Sequence, residues 1–165
     1  MNPSIQQMLN RYTCENENDY INAIREIIQE LALQGLWRGK FFEHAAFYGG
    51  TALRILYGLN RSSEDLDFSL LSPNPEFHLS TYSKAIKREL ESFGFSTEFV
   101  TKEKVQHTNI ESAFLKTNTK MQLISIGLPN GITSRIHSKT ELKIKLEIDI
   151  DPPSGFQTTV KTLLR

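Results

Sequence analysis

The sequence is short of cysteine, of net charge and of long apolar runs, and each shortage closes a class of function. A single cysteine, Cys14, among 165 residues rules out an internal disulfide and any Cys-built zinc site. Nineteen Lys and Arg balance nineteen Asp and Glu, so no global basic field recruits nucleic acid. Lys84, Lys87, Arg88, Lys102, Lys104, Lys116 and Lys120 do fall within one stretch, but such a run is ordinarily the wet face of a helix and its neighbours. No apolar run approaches the ~20 residues of a membrane helix, and the polar start Met-Asn-Pro-Ser-Ile-Gln-Gln is no signal peptide. His44, His78, His107 and His137 are scattered without metal-ligand spacing.

What remains is ample for a core. Apolar residues make up 39% and charged residues 23%, outside the range of disordered or fibrous chains. The length suits one domain over residues 1–165, hiding roughly 70% of the unfolded surface. The expectation is a soluble, cytoplasmic, globular protein without a membrane partner, and with no internal repeat or flexible linker.

Along the chain, Asp19–Leu33 has Tyr20, Ile24, Ile27, Ile28 and Leu31 on one stripe and reads as an N-terminal helix, with Asn18 as N-cap and Gly35 as stop. Trp37, Phe41 and Phe42 read as core aromatics rather than a stacking platform. Ala45–Tyr48 reads as a short buried strand, Thr51–Tyr57 as a helix stopped at Gly58, and Asp65–Leu71 as an alternating strand. Ser80 caps a helix with Tyr82, Ile86, Leu90 and Phe93 on its apolar side. Phe95–Val100, Asn109–Leu115 and Met121–Ile126 are strand candidates. Glu141–Asp151 is the clearest strand: Leu142, Ile144, Leu146, Ile148 and Ile150 alternate with Lys143, Lys145, Glu147, Asp149 and Asp151. This order points to an α+β or α/β domain with a mixed sheet and flanking helices. Thr158–Arg165 begins an apolar element without a stop signal, which reads as a truncated end or a short tail.

Two features carry chemistry. Tyr48-Gly49-Gly50-Thr51 places two glycines between a strand and a helix, where uncovered N–H groups suit an anion and Thr51 adds a hydroxyl; the plainer alternative is a sharp turn that needs glycine. In Arg61-Ser62-Ser63-Glu64-Asp65-Leu66-Asp67-Phe68, Asp65 and Asp67 share a strand face, about 7 Å apart at Cα. The last strand presents Glu147, Asp149 and Asp151 in the same fashion. If the two strands are neighbours, the acids converge, and such a cluster is tolerable only when splayed into water, partly protonated or neutralised by cations. All-oxygen ligands suit Mg²⁺, which also takes substrate phosphates. That combination fits phosphoryl or nucleotidyl transfer, with a third carboxylate accepting the proton of the attacking hydroxyl. Arg61 either offsets triphosphate charge or pairs with Glu64 or Asp65.

Gly49-Gly50 followed by Asp65-Leu66-Asp67-Phe68 resembles the signature of the DNA polymerase β-like nucleotidyltransferase superfamily. More closely, Phe47-Tyr48-Gly49-Gly50-Thr51-Ala52-Leu53 together with Arg61-Ser62-Ser63-Glu64-Asp65-Leu66-Asp67-Phe68 resembles the AbiEii/AbiGii toxins of type IV toxin–antitoxin and abortive-infection systems. Lys145-Leu146-Glu147-Ile148-Asp149 is similar to their later acidic segment, and the resemblance runs over residues 42–153. It implies an α+β polymerase β-like nucleotidyltransferase fold, which in the family continues into a helical C-terminal half that this sequence is expected to lack. It further implies Asp65 and Asp67 as metal ligands, Glu147 as third carboxylate and metal ligand with Asp149 its rival, and Gly49, Gly50, Thr51, Arg61, Ser63 and Lys145 as substrate contacts. The implied cofactor is Mg²⁺, or Mn²⁺ in its place. The implied partners are GTP, ATP or a pyrimidine NTP, an acceptor hydroxyl on tRNA, another RNA or a protein, and a cognate antitoxin. Alternatives of another class are an NTP-binding or protein-interaction domain without chemistry, and a structural domain whose acids face solvent.

Overall fold

In the computed structural model, residues 2–59, 64–102 and 108–161 are described. They form a five-stranded mixed sheet with helices, an α+β domain as the residue pattern anticipates. No helix among them is long and apolar enough to cross a membrane.

Helix α1 (Pro3–Leu9) starts on Asn2, whose side chain accepts the Ser4 N–H, with Pro3 in the first turn. Helix α2 (Glu17–Arg38) is longer than the expected Asp19–Leu33 at both ends. Its cap is Asn16, not Asn18, because the Asn16 side chain accepts the Asp19 N–H at 3.0 Å. Gly35 does not stop it. The Gly35 position faces α4 (Ser83–Ser92), where an added Cβ would lie 2.8 Å from Ile86 Cα and 2.9 Å from the Ala85 carbonyl oxygen. Gly35 is therefore a contact glycine that lets two helix backbones touch, and the helix ends at Gly39 instead. Arg38 Nε closes the crossing with a 2.9 Å ion pair to the buried Glu89 carboxylate.

The sheet order is β1 (Ala45–Tyr48), β2 (Asp65–Leu70), β5 (Glu141–Asp149), β4 (Ile110–Asn118), β3 (Glu98–Thr101). Only β2 and β5 run parallel; β1–β2, β5–β4 and β4–β3 are antiparallel. One face holds Leu66, Phe68 and Leu70 with Leu142, Ile144, Leu146 and Ile148, packed in one core with Ile24, Ile27, Ile28 and Leu31 of α2 and Ile86 and Leu90 of α4. Phe41 is buried at the centre, edge-on to Phe42, Phe68 and Tyr82 at 4.9–5.1 Å between centroids. Trp37, expected in the core, is instead 65% exposed because it lies on the outer side of α2. The opposite sheet face carries the alternate residues and is half-exposed.

Met121–Ile126, read as a strand, lies in helix α5 (Thr119–Ser125) and its cap. Asn118 ends β4 and its side chain accepts the Met121 N–H at 2.9 Å, which starts a helical turn. Burial there has a period of three: Leu123 and Ile126 are inside, while Met121 and Ile124 are exposed. Helix α6 (Asn130–Thr133) follows before β5.

Gly35→Ala should lower stability by about 1–3 kcal/mol through overpacking against backbone atoms, visible as a Tm loss of roughly 2–4 °C per kcal/mol. Gly131→Ala, where nothing lies within 4 Å, should leave thermal unfolding unchanged; equal effects from both would refute the close-crossing role of Gly35.

Candidate active site

The alternation of β2 and β5 fixes where the acids point. Leu66, Phe68, Leu146 and Ile148 are fully buried, so Asp65, Asp67, Lys145, Glu147 and Asp149 stand on the other face. The parallel register pairs Asp65 with Lys145, Asp67 with Glu147 and Ser69 with Asp149. Two strands separated by seventy residues of sequence thus bring an Asp and a Glu into one row.

The glycine turn adjoins that row. Tyr48, the last residue of β1, is the register partner of Asp67. Helix α3 (Gly49–Tyr57) begins at once, with Gly49 in the left-handed region at φ +85°. A Cβ on Gly49 would lie 2.8 Å from Asp67 Oδ2, so the backbone of the turn lies against the carboxylate. Among the described residues no side chain caps this helix, and the N–H groups of its first turn have no intrahelical acceptor; they and the helix dipole form a positive corner beside the acids. The Thr51 hydroxyl is not turned outward. Thr51 is buried, and its hydroxyl donates to the Asp65 carbonyl, bracing α3 against β2 and leaving only its main-chain N–H for an anion. Arg54 Nε, 3.2 Å from Glu26, ties the same helix to α2.

Burial first, then the charges of Glu147 and Asp65, raise the Asp67 carboxyl above its ordinary value, with Lys145 acting against them. Burial and the charges of Asp67, Asp149 and Glu147 likewise raise the Tyr48 phenol. Lys145 donates to Glu147 two residues along its own strand, and this bond is the main reason its ammonium is held above the usual range. Asp149 is otherwise engaged: its Oδ1 accepts the Asp151 N–H at 2.9 Å. Glu147 is bonded to Lys145 in turn, and what sets it apart from Asp149 is its register row with Asp67.

The donor set fits a divalent cation in chemistry. Four carboxylates, Asp65, Asp67, Glu147 and Asp149, face one internal cation, Lys145, and all offer hard oxygens. Among the described residues no three His, Cys, Asp or Glu side chains close a ready-made metal cage. Mg²⁺ does not require one, since it takes one or two carboxylates and completes its shell with water and substrate phosphates. Arg61 and Ser63 lie outside the described residues, as do Lys104 and His107. The residue missed from sequence is Tyr48, 51% exposed between the turn and the acids; its place just before Gly49 was the available signal. Two cavities of about 350 and 540 Å³ lie elsewhere, one lined by His44, Phe77 and Tyr82, the other by Tyr12, Cys14 and Leu128. The acids occupy an open sheet face.

Comparison with known proteins adds a family. The model of the nucleotidyl transferase AbiEii toxins of type IV toxin–antitoxin systems matches residues 31–163. The crystal structure of JHP933 from Helicobacter pylori is similar at 20% identity and TM-score 0.46, over 81% of this chain and 46% of that one. Another Helicobacter pylori crystal structure, titled as that of a putative nucleotidyltransferase, is similar at 21% identity and TM-score 0.44, over 79% and 46%. The chain thus spans about half the length of these structures. No curated protein matches the sequence.

Because the folded-state pKa of Asp67 is raised, its ionisation opposes folding. The penalty is absent below the ordinary Asp range near pH 3.9 and fully present once the pH exceeds the folded value. Asp67→Asn should therefore melt higher than the native protein at pH 7, with the gap closing towards pH 3. Millimolar Mg²⁺ or Mn²⁺ should raise the Tm of the native protein and leave that of Asp67→Asn unmoved. A variant that melts lower at pH 7, or responds equally to the ions, would contradict this electrostatic picture.

Proposed function

We infer the function from family membership: this chain belongs to the AbiEii family of nucleotidyl transferase toxins of type IV toxin–antitoxin systems. The reaction we assign to it moves a nucleoside monophosphate from an NTP to an acceptor hydroxyl on RNA, tRNA included, or on protein. It depends on Mg²⁺, with Mn²⁺ as substitute, and takes place in the cytoplasm under the restraint of a cognate antitoxin. The observation that carries this reading is the row of Asp67 and Glu147 set against the left-handed Gly49 at the start of an uncapped helix.

We assign the roles by position. The first-turn N–H groups of Gly49, Gly50 and Thr51 take the triphosphate, aided by the helix dipole. Gly49 has no Cβ because the chain there must pass against Asp67. Asp65 and Asp67 would hold the divalent ion, with Glu147 the third carboxylate and Asp149 its rival. Such an ion, when bound, neutralises triphosphate charge and polarises the reacting phosphate. The acceptor oxygen forms a bond to the α-phosphorus, the bond from that phosphorus to the pyrophosphate oxygen breaks, and pyrophosphate leaves. The hydroxyl proton passes to the third carboxylate. Lys145, between Asp65 and Glu147, is placed to follow the phosphate charge. Arg61 and Ser63 belong to the same segment as the acid pair and are assigned to the substrate by resemblance alone.

A second reading, NTP binding without transfer, draws on the bond between Lys145 and Glu147, which occupies the carboxylate that would take the proton.

The test is incubation of the protein with total tRNA, a protein extract and each α-labelled NTP in Mg²⁺. Transfer of label with one NTP is expected, with a drop of ~10²-fold or more in Asp67→Asn, the size typical of losing one electrostatic contact to the reacting group. Glu147→Gln should lose far more than Asp149→Asn. Equal labelling by native protein and Asp67→Asn would end the enzymatic reading, while NTP binding without transfer would favour the second.

A further inference from the structure

The row of acids ends in a phenol. Across three strands, β1, β2 and β5 set Tyr48, Asp67 and Glu147 as register partners. Phe47 packs on Phe68 inside the core, 5.4 Å between ring centroids, so Tyr48, one residue on, stands on the acid face. β1 is an edge strand of the sheet, and the glycine turn follows Tyr48 directly. At ~4.8 Å per strand the row runs about 10 Å from Tyr48 to Glu147, with Asp67 between them.

Tyr48 is exposed, and among the described residues its phenol makes no hydrogen bond, although a carboxylate is its row neighbour. That leaves a donor free beside the acids. A cation in such a place is captured by them, as Lys145 is by Glu147; a phenol offers an O–H without a charge and stays available. Nucleotidyl transfer supplies an acceptor for it. In an in-line displacement the attacking and the leaving oxygen lie on opposite sides of the reacting phosphorus. Glu147, which takes the proton of the attacking hydroxyl, stands at one end of the row. The first-turn N–H groups that hold the phosphates follow Tyr48 at the other end. The row thus has the direction of the reaction axis, with the α-phosphorus over Asp67 and the pyrophosphate beside Tyr48. Negative charge gathers on the leaving oxygen, and a hydrogen bond to an ionised acceptor is about twice as strong as one between neutral groups.

We propose that Tyr48 is the leaving-group contact of the transfer, its phenol O–H donating to the pyrophosphate oxygen as the bond from the α-phosphorus breaks. The proposal rests on the nucleotidyltransferase reading and adds a direction to it: the acceptor enters from the β5 side, and pyrophosphate departs over the β1 edge. The acceptor oxygen bonds to the α-phosphorus and its proton passes to Glu147. The electron pair of the broken bond stays on the pyrophosphate oxygen, and Tyr48 keeps its own proton. What Tyr48 recognises is the diphosphate, so its contribution does not depend on the base.

The test reads binding beside turnover. Calorimetric titrations in Mg²⁺ use inorganic pyrophosphate, each NTP and the corresponding NMP. Tyr48→Phe removes the hydroxyl and keeps the ring. It should bind pyrophosphate and NTP about 10- to 100-fold more weakly, the worth of a hydrogen bond to a charged group, and bind NMP as the native protein does. Tyr57→Phe alters another exposed tyrosine at the far end of α3 and should match the native protein throughout, with equal Tm values showing that all three are folded. In the transfer assay Tyr48→Phe should lower kcat as well as raise KM, because the contact strengthens as charge develops. Equal pyrophosphate affinity in native protein and Tyr48→Phe would overturn the proposal, and NTP binding and transfer by both would leave the nucleotidyltransferase reading intact. A loss shared equally by NMP would place Tyr48 on the nucleoside and overturn it as well. Weaker pyrophosphate binding in Tyr48→Phe without transfer by the native protein would end the leaving-group role together with the enzymatic reading.

Discussion

The parallel pairing of β2 with β5 is the constraint on which the site depends. It sets Asp67 beside Glu147, an arrangement that like-charge repulsion opposes by up to about 1 kcal/mol in a solvated pair. The reverse face decides the contest. Leu66, Phe68, Leu146 and Ile148 are fully buried there, and each such side chain contributes about 1.5–3 kcal/mol. A slip of β5 by one residue would turn Leu146 and Ile148 to water. Core packing thus holds in place a charge cluster that the acids themselves would not form. A slip of two would preserve the faces.

From this constraint the other features follow in order. Gly49 stands at φ +85°, where L side chains are strained, so glycine is required at position 49, and a Cβ there would also push the Asp67 carboxylate aside. The Thr51 hydroxyl, bonded to the Asp65 carbonyl, locks the helix start to the strand that bears the acids. Across the same face the acids give way to Lys145, Lys143 and Lys116, with Glu141 and Glu98 interspersed.

Local patterns carried much of this in the sequence. The strict alternation of Glu141–Asp151 identified the strand and its acidic face, although β5 ends at Asp149, and the diglycine after Ala45–Tyr48 marked the strand–helix turn. Long-range geometry was not legible. That β2 and β5 are neighbours could only be posed as a condition, since nothing local specifies strand order. Gly35 looked like a helix stop because a contact glycine and a terminating glycine have the same local signature; the difference lies in Ile86, fifty residues on. Met121–Ile126 was apolar enough for a strand, and its helix follows from the Asn118 cap and the burial of Leu123 and Ile126. Thr51 was read for its exposed chemistry, whereas its hydroxyl bonds inward to a strand that only the fold brings near.

The central claim is that these two strands build a binding place for a divalent ion and a triphosphate against the Gly49 turn. A crystal grown with Mn²⁺ and a non-hydrolysable NTP analogue, examined by anomalous scattering, tests it most directly. The account predicts an anomalous peak on Asp65 and Asp67, phosphate oxygens at the first-turn N–H groups of α3, and Glu147 released from Lys145. A peak at other residues, or an analogue bound away from the glycine turn, would contradict it.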